Sequence, residues 1–157
     1  MILSIIILIA AIFLDQITKW LAVLFLKEID TLPLIKNVLH LTYLENTGAA
    51  FGILKNNRWI FLVVSAVAIV ALLFYLAKFR PKNKWLLVGL SFIVGGGIGN
   101  MIDRLLLGYV IDFIDFRLIN FAVFNVADTF VCIGAVLVII YVFFFSEKES
   151  KKESESK

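Results

Sequence analysis

One segment of this chain, residues 95–128, holds an unusual concentration of side chains that could do chemistry. Its carboxylates are Asp103, Asp112, Asp115 and Asp128, and its other polar groups include Asn100, Arg104 and Asn125. The rest of the sequence is mostly hydrocarbon, because 62% of all residues are hydrophobic. Charged groups beside membrane-spanning segments are costly to keep, so such a cluster indicates a functional site.

Asp112 and Asp128 are the pair best suited to acid–base chemistry. If the spans on either side of the 107–121 connection are antiparallel neighbours, both carboxylates reach the same membrane depth. Two adjacent carboxylates cannot both ionise cheaply, so they share a proton. One can then take a proton from water while the other hydrogen-bonds a peptide carbonyl, which hydrolyses a peptide without a metal. The alternative from spacing alone is that both face lipid headgroups or cap helix ends.

Several polar residues near this pair have helical spacing. Asn125 and Asp128 are three residues apart, which predicts one shared helix face. Asn100, Asp103 and Arg104 share another face by the same rule, and Asp103 and Arg104, as neighbours in sequence, must each find other partners. Arg104 could hold a peptide carbonyl or a lipid phosphate, or it could extend outward to the membrane interface.

The first apolar segment carries its own polar residues. Asp15 and Lys19 are four residues apart with the acid first, which favours a helical ion pair and a structural role for both. Gln16 could add a hydrogen bond between helices. Gly95–Gly99 is a patch of small residues inside a predicted span, and such patches usually allow close helix packing.

Composition places the chain in the class of integral membrane proteins. It has 157 residues and a mean hydropathy of +1.00, which is too apolar for an ordinary soluble domain. Most of its basic residues lie in short loops and the tail, which fits the positive-inside rule much better than a nucleic-acid surface. The single cysteine, Cys132, and the single histidine, His40, offer neither a disulfide nor a metal-binding spacing.

The chain is predicted to be an all-α membrane protein with four transmembrane helices in a single domain, residues 1–146. The spans are expected at about 2–26, 59–77, 85–106 and 122–145. The lysines and arginine of residues 78–84 and the charged, disordered tail at 147–157 should be cytoplasmic, together with both termini. The 27–58 and 107–121 connections would then face outward, the latter as a short outer loop or helix.

A small extracytoplasmic β-sheet is expected in the first outer connection. Leu39, Leu41 and Tyr43 alternate with polar residues, which is typical of a half-buried strand. The residues from Asn46 to Gly48 supply turn chemistry, and residues 49–53 are predicted to form the second strand.

Four motifs spread over the chain carry a family resemblance. They are LDQITK at 14–19, ENTGAAFGIL at 45–54, GGGIGNMIDRLLLGYVIDF at 95–113 and FNVAD at 124–128. With these segments, in this order, the chain resembles the lipoprotein signal peptidases (type II signal peptidases), which are membrane-embedded aspartic proteases of bacteria. The family usually has a second valine where this chain has Ile111, a change that keeps the β-branched character.

The resemblance implies a role for each matching residue. Asp112 and Asp128 would be the catalytic dyad, and the residues that line or brace the site would be Asn46, Gly48, Asn100, Asp103, Arg104, Asn125, Asp15 and Lys19. The substrate would be the signal peptide of a prolipoprotein, cut just before a cysteine that carries diacylglycerol. The family needs no cofactor and is inhibited by globomycin-type cyclic peptides. The 107–121 connection could close over the substrate as a lid, with Gly108 as its hinge.

The resemblance also implies a place in the cell, the bacterial cytoplasmic membrane, with the active site near the outer face and membrane lipids as further partners. The sequence leaves the oligomeric state open, with a monomer as the working expectation. Two other classes remain as alternatives: a small transporter or proton pathway, and an assembly factor that pairs helices through Gly95–Gly99.

Overall fold

The computed structural model describes residues 2–48 and 58–146, with only the main chain at Arg58. This part of the chain contains four long helices: α1 (Ile2–Leu26), α2 (Arg58–Phe79), α3 (Lys84–Leu106) and α4 (Val126–Phe144). All four are long and apolar enough to cross a membrane, as the sequence predicts. The predicted strand at 49–53 and the predicted disordered tail at 147–157 lie outside the described residues.

The fourth helix begins later than the sequence predicts, at Val126 instead of residue 122. Phe124, just before the helix, is extended and forms an isolated β-bridge with Ile114. The Asn125 side chain accepts the N–H of Asp128, and Asp128 accepts the N–H of Asn125, so the two residues form a capping box. Asn125 therefore caps the helix instead of sharing a helix face with Asp128, because the bridge holds the preceding residues in an extended conformation.

Three antiparallel strands form a small sheet beside the helices: β1 (Thr31–Ile35), β2 (Leu39–Asn46) and β3 (Val110–Phe116). The central strand is β2, which confirms the strand predicted from the alternation of Leu39, Leu41 and Tyr43. A β-bulge between Leu41 and Leu44 shifts the register between β2 and β3. Beyond this bulge, Leu44 lies opposite Asp112.

The connection between α3 and α4 differs most from its sequence prediction. Residues 110–116 form β3 instead of a loop, and a short 3₁₀ helix follows at Arg117–Ile119. Gly108, with φ of 88°, turns the chain out of α3 toward the strand. The hydrogen bonds of β3 to β2 therefore contradict a loop over residues 110–116. Closure of the 107–121 connection as a lid stays a prediction.

The third helix is the centre of the bundle, since it packs against α1, α2 and α4. Its glycines allow the close approach that the sequence predicts. A Cβ atom on Gly95 would lie 2.8 Å from Ala11 on α1, and one on Gly96 would overlap the carbonyl oxygen of Ala127 on α4. At Gly97 the nearest atom would be 3.4 Å away, at the end of the Ile69 side chain.

This difference predicts opposite effects of alanine at two neighbouring positions. Gly96→Ala should lower the free energy of unfolding by about 1–3 kcal/mol, because the new methyl group meets the backbone of α4. Gly97→Ala should be neutral or stabilising by up to about 1 kcal/mol, since a helical glycine is replaced without a clash. Thermal unfolding of both purified variants in one detergent measures the contrast, and equal shifts in Tm would contradict the packing described.

Candidate active site

Asp112 lies on β3 and is almost completely buried, with 1% of its surface exposed. Asn46, at the end of β2, donates a hydrogen bond from Nδ2 to Asp112 Oδ2 at 2.8 Å. The other carboxylate oxygen, Oδ1, accepts from Nδ2 of Asn125 at 2.6 Å. The sheet and the cap of α4 therefore hold this carboxylate from two sides.

Asp128 occupies the first turn of α4, where the capping box fixes one of its oxygens. Its other oxygen, Oδ1, accepts a hydrogen bond from Nδ2 of Asn100 at 2.8 Å. The Asn125 amide also donates to Asn100 Oδ1, at 3.0 Å. Asn125 thus contacts both Asp112 and Asn100 and links the two carboxylates through amide groups.

Lys19 determines how this amide network is oriented. Its ammonium donates to Asn100 Oδ1 at 2.8 Å, and an ammonium can only donate. The oxygen of Asn100 must therefore face Lys19, and its NH₂ group must face Asp128. A lysine on α1 thereby decides which end of an amide on α3 reaches the carboxylate on α4.

Two carboxylates neutralise the buried lysine. Lys19 Nζ lies 2.9 Å from Asp15 and 2.9 Å from Asp103, and Lys19 and Asp15 are 2% and 0% exposed. The ion pair predicted between Asp15 and Lys19 is thus present. Asp103 finds its partners on other elements, as its position beside Arg104 requires.

The same two carboxylates also hold the backbone of the elements that carry the site. Asp15 accepts the N–H of Ala127 in the first turn of α4, at 2.9 Å. Asp103 accepts the N–H of Ile111 on β3, at 3.1 Å, and also a hydrogen bond from Gln16, at 3.0 Å. The ion cluster therefore fixes the starts of α4 and β3, which position Asp128 and Asp112.

Arg104 faces the same space from α3. Its guanidinium lies 3.4 Å from the carbonyl oxygens of Gly48 and Asn100 and stacks over the ring of Phe61, 5.1 Å from the centroid. These contacts turn it toward the site, so the alternative that it extends outward to the interface is wrong. No pattern in the sequence distinguishes Phe61 from the other phenylalanines of the spans, which serve equally well as lipid-facing or core residues.

A cavity of about 480 Å³ opens beside these groups. Its polar lining consists mainly of Asn46, Asn100, Arg104, Asp112, Asp128 and Thr129. Its apolar walls come from Phe121–Phe124 and from Val131–Ile133, which includes Cys132. A bound chain could therefore bury apolar groups against α4 while one polar segment meets the carboxylates.

Burial raises the pKa of Asp112 to about 6. The hydrogen bonds from Asn46 and Asn125 lower this pKa, and the nearby charge of Asp128 raises it. A carboxyl group with this pKa is partly protonated close to neutral pH. The arrangement is thus suited to general acid–base chemistry in the cavity.

Asp115 takes no part in this cavity, although it lies in the same sequence cluster. It accepts hydrogen bonds from Thr42 at 2.8 Å and from Arg117 at 2.7 Å, on the sheet. Burial raises its pKa, but the hydrogen bonds from Arg117 and Thr42 outweigh burial, so the pKa lies below its ordinary value. Asp115 joins neighbouring strands and is not brought near Asp112 or Asp128 by a hydrogen bond.

Fold and site together define a multi-pass membrane protein with two amide-bound carboxylates at one end of its helix bundle. Residues 7–144 match the family described as signal peptidase (SPase) II. The lipoprotein signal peptidase of Clostridioides difficile (strain 630) is 48% identical over 146 residues, which cover 93% of this chain and 98% of that relative. The lipoprotein signal peptidase of Brevibacillus brevis (strain 47) is 44% identical over 135 residues, covering 86% and 91%.

Solved structures agree with these sequence matches. A bacterial membrane enzyme superposes with a TM-score of 0.81 and 34% identity, over 91% of this chain and 94% of that chain. A second bacterial membrane enzyme gives a TM-score of 0.80 and 33% identity, over 89% and 87%. The chain belongs to the signal peptidase II family. This membership in a family of aspartic proteases excludes the transporter and the assembly factor as its class.

The ion cluster predicts a large effect of removing the lysine. Lys19→Met should lower the free energy of unfolding by about 3–5 kcal/mol, because Asp15 and Asp103 would remain buried without a counter-ion. Lys27→Met is the matched control, since the Lys27–Glu45 pair spans 3.4 Å and is 53% and 41% exposed. It should change stability by less than about 1 kcal/mol. Similar losses of Tm in the two variants would contradict the neutralising role of Lys19.

Proposed function

We propose that this protein is an intramembrane aspartic endopeptidase that removes the signal peptide from diacylglyceryl-modified bacterial prolipoproteins and cuts before the lipidated cysteine. The observation that carries the proposal is the placement of Asp112 and Asp128. Each accepts a hydrogen bond from a different amide of one connected network, and both line one cavity. A dyad needs this arrangement, in which amide groups hold two carboxylates beside one cavity so that both can face the same substrate.

In the proposed reaction the pair carries one proton, and Asp112 is the carboxyl that holds it in the free enzyme. Asp112 donates its proton to the scissile carbonyl oxygen, while Asp128 accepts a proton from water. The water oxygen attacks the carbonyl carbon, and a gem-diol forms. Asp128 then passes its proton to the amide nitrogen while Asp112 takes a proton back from a gem-diol hydroxyl. The C–N bond breaks, and the new carboxyl end and the free α-amino group of the cysteine are released.

The remaining cavity residues would hold the substrate. Arg104 has donor groups available beside the carbonyls of Gly48 and Asn100 and would bind a peptide carbonyl near the scissile bond. The apolar walls along Phe121–Phe124 and Val131–Ile133 would take the lipid chains or the apolar residues of the signal peptide. Globomycin-type cyclic peptides would occupy the same cavity. The dyad itself requires no cofactor.

Replacement of either aspartate tests this proposal. Asp112→Asn and Asp128→Asn should each reduce cleavage of a diacylglyceryl prolipoprotein below detection while the purified protein still folds. Both substitutions remove a carboxyl group that must exchange a proton. Cleavage is measured by the mobility shift of a synthetic lipidated substrate in detergent micelles, and globomycin should block the wild-type reaction.

Asp30→Asn is the matched control for this assay. Asp30 is an exposed carboxylate near the sheet with φ of 61°, a conformation that asparagine also tolerates. The control should cleave at the wild-type rate. Normal turnover by either dyad variant would overturn the catalytic assignment.

The proposed orientation places both termini and the basic 78–84 segment in the cytoplasm, with the sheet and the cavity on the outer side. It rests on the excess of lysine and arginine between α2 and α3, where the chain turns back into the membrane. The sheet lies at the opposite end of the bundle, beside Leu26 at the end of α1. A lipid-anchored substrate would then meet the dyad at the membrane surface.

Cysteine labelling tests this orientation. In a Cys132→Ala background, Lys36→Cys should react with a membrane-impermeant maleimide added to intact cells, and Lys82→Cys should react only after the membrane is opened. Lys36 and Lys82 are both exposed, at opposite ends of the bundle. The reverse labelling pattern would invert the proposed topology.

A further inference from the structure

A second cavity, of about 120 Å³, lies among the start of α1, the end of α2 and the start of α3. Its lining includes Ser4 and Arg80, and its other side chains are apolar, such as Leu8, Leu76 and Leu87. About eleven to fifteen residues of α1, at about 1.5 Å per residue, separate Ser4 from Asp15 and Lys19, whose contacts adjoin the dyad. It is therefore a separate site that the proposed reaction does not use.

One polar group of this cavity has its partner within the protein. Ser4 Oγ lies 2.8 Å from Oγ of Ser91, a pair that is buried between α1 and α3. Ser91 also donates to the carbonyl oxygen of Leu87, at 2.7 Å. The serine hydroxyls thus hold the helices together, and Arg80 is the group that can meet a ligand.

Arg80 has an unusual backbone conformation. It follows the end of α2 with φ of 45°, in the left-handed region that glycine or asparagine normally fills after a helix. Its Nε donates to the carbonyl oxygen of Ala77 at 3.4 Å, and its side chain is exposed. An arginine in a strained backbone conformation indicates that its guanidinium group is used, since the turn alone favours a smaller residue.

The surroundings of Arg80 attract anions. Lys78, Lys82 and Lys84 lie within four residues of it, and the sequence contains no aspartate or glutamate in residues 2–14 or 58–102. The ammonium group of Lys78 lies over the rings of Phe74 and Phe79, 5.3 and 5.5 Å from their centroids. The tail at 147–157 adds equal numbers of lysine and glutamate residues and leaves this excess of positive charge unchanged.

We propose that this cavity binds an anionic phospholipid, with the headgroup phosphate on Arg80 and part of an acyl chain against the apolar side chains between α1 and α2. A guanidinium above an apolar cavity matches both parts of such a lipid, whereas a free phosphate would use only the charge. A zwitterionic lipid fits less well, because its cationic headgroup would meet the lysines. In the orientation proposed above, the lipid belongs to the inner leaflet.

Native mass spectrometry of the full-length protein, released from detergent with added phosphatidylglycerol or phosphatidylcholine, tests this site. The wild type should retain phosphatidylglycerol about five- to tenfold more than phosphatidylcholine. Arg80→Gln should abolish the preference. Lys36→Gln, which removes an exposed cation at the other end of the molecule, should preserve it. Equal retention of the two lipids by the wild type, or equal loss in the two variants, would overturn the proposal.

Two further variants separate binding from folding. Arg80→Gly relieves the left-handed backbone and should keep or raise Tm, but it should lose the lipid preference. Ala77→Phe fills the apolar part and should weaken retention of phosphatidylglycerol although Arg80 remains. Added inorganic phosphate should not displace the lipid. Displacement at millimolar phosphate, or full retention by Ala77→Phe, would show a simple anion effect and contradict a lipid site.

Discussion

The ammonium group of Lys19, buried within the helix bundle, is the interaction on which the rest of the structure depends. A charge in this environment must be paired and fully hydrogen-bonded, and the protein supplies Asp15, Asp103 and the Asn100 oxygen around it. Each of these three residues also makes a hydrogen bond to an element that carries the site. The cost of burying one cation is offset by contacts that also place α4, β3 and the amide network.

These further hydrogen bonds determine the geometry of the site. Asp15 holds the start of α4, Asp103 holds the start of β3, and the orientation of Asn100 presents an N–H donor to Asp128. Asp112 lies on a strand and Asp128 lies on a helix, so no single element carries the pair. Rigid support from several elements is what acid–base chemistry requires, because small displacements of the reacting groups lower the rate strongly.

The spans and most of the polar cluster could be predicted from the sequence, because hydrophobic length and helical spacing are local properties. The Asp15–Lys19 pair is an example, since both partners lie on one helix. The residues 110–116 could not be assigned to a strand in this way. They read VIDFIDF, and a strand buried on both faces lacks the alternation that distinguishes β2. Its partner strand is more than 60 residues away in sequence, as the pairing of Leu44 with Asp112 shows.

The capping role of Asn125 could not be predicted from the sequence for a similar reason. An asparagine ahead of an apolar run is compatible with either a helix face or a cap, and the pairing of Phe124 with Ile114 decides between them. The family resemblance gave Asp112 and Asp128 their proposed roles, whereas the structure supplies the physical connection between them. That connection runs through Asn100 and Asn125.

The central proposal is that Asp112 and Asp128 share one proton. Infrared spectroscopy of the carboxyl band measures this directly, in protein held about one pH unit below the pKa of Asp112, which is about 6. We expect one buried protonated carboxyl, whose band disappears as the pH rises through this value and is absent in Asp112→Asn but present in Asp30→Asn. A band that persists in Asp112→Asn, or that is removed by Asp103→Asn instead, would contradict the account.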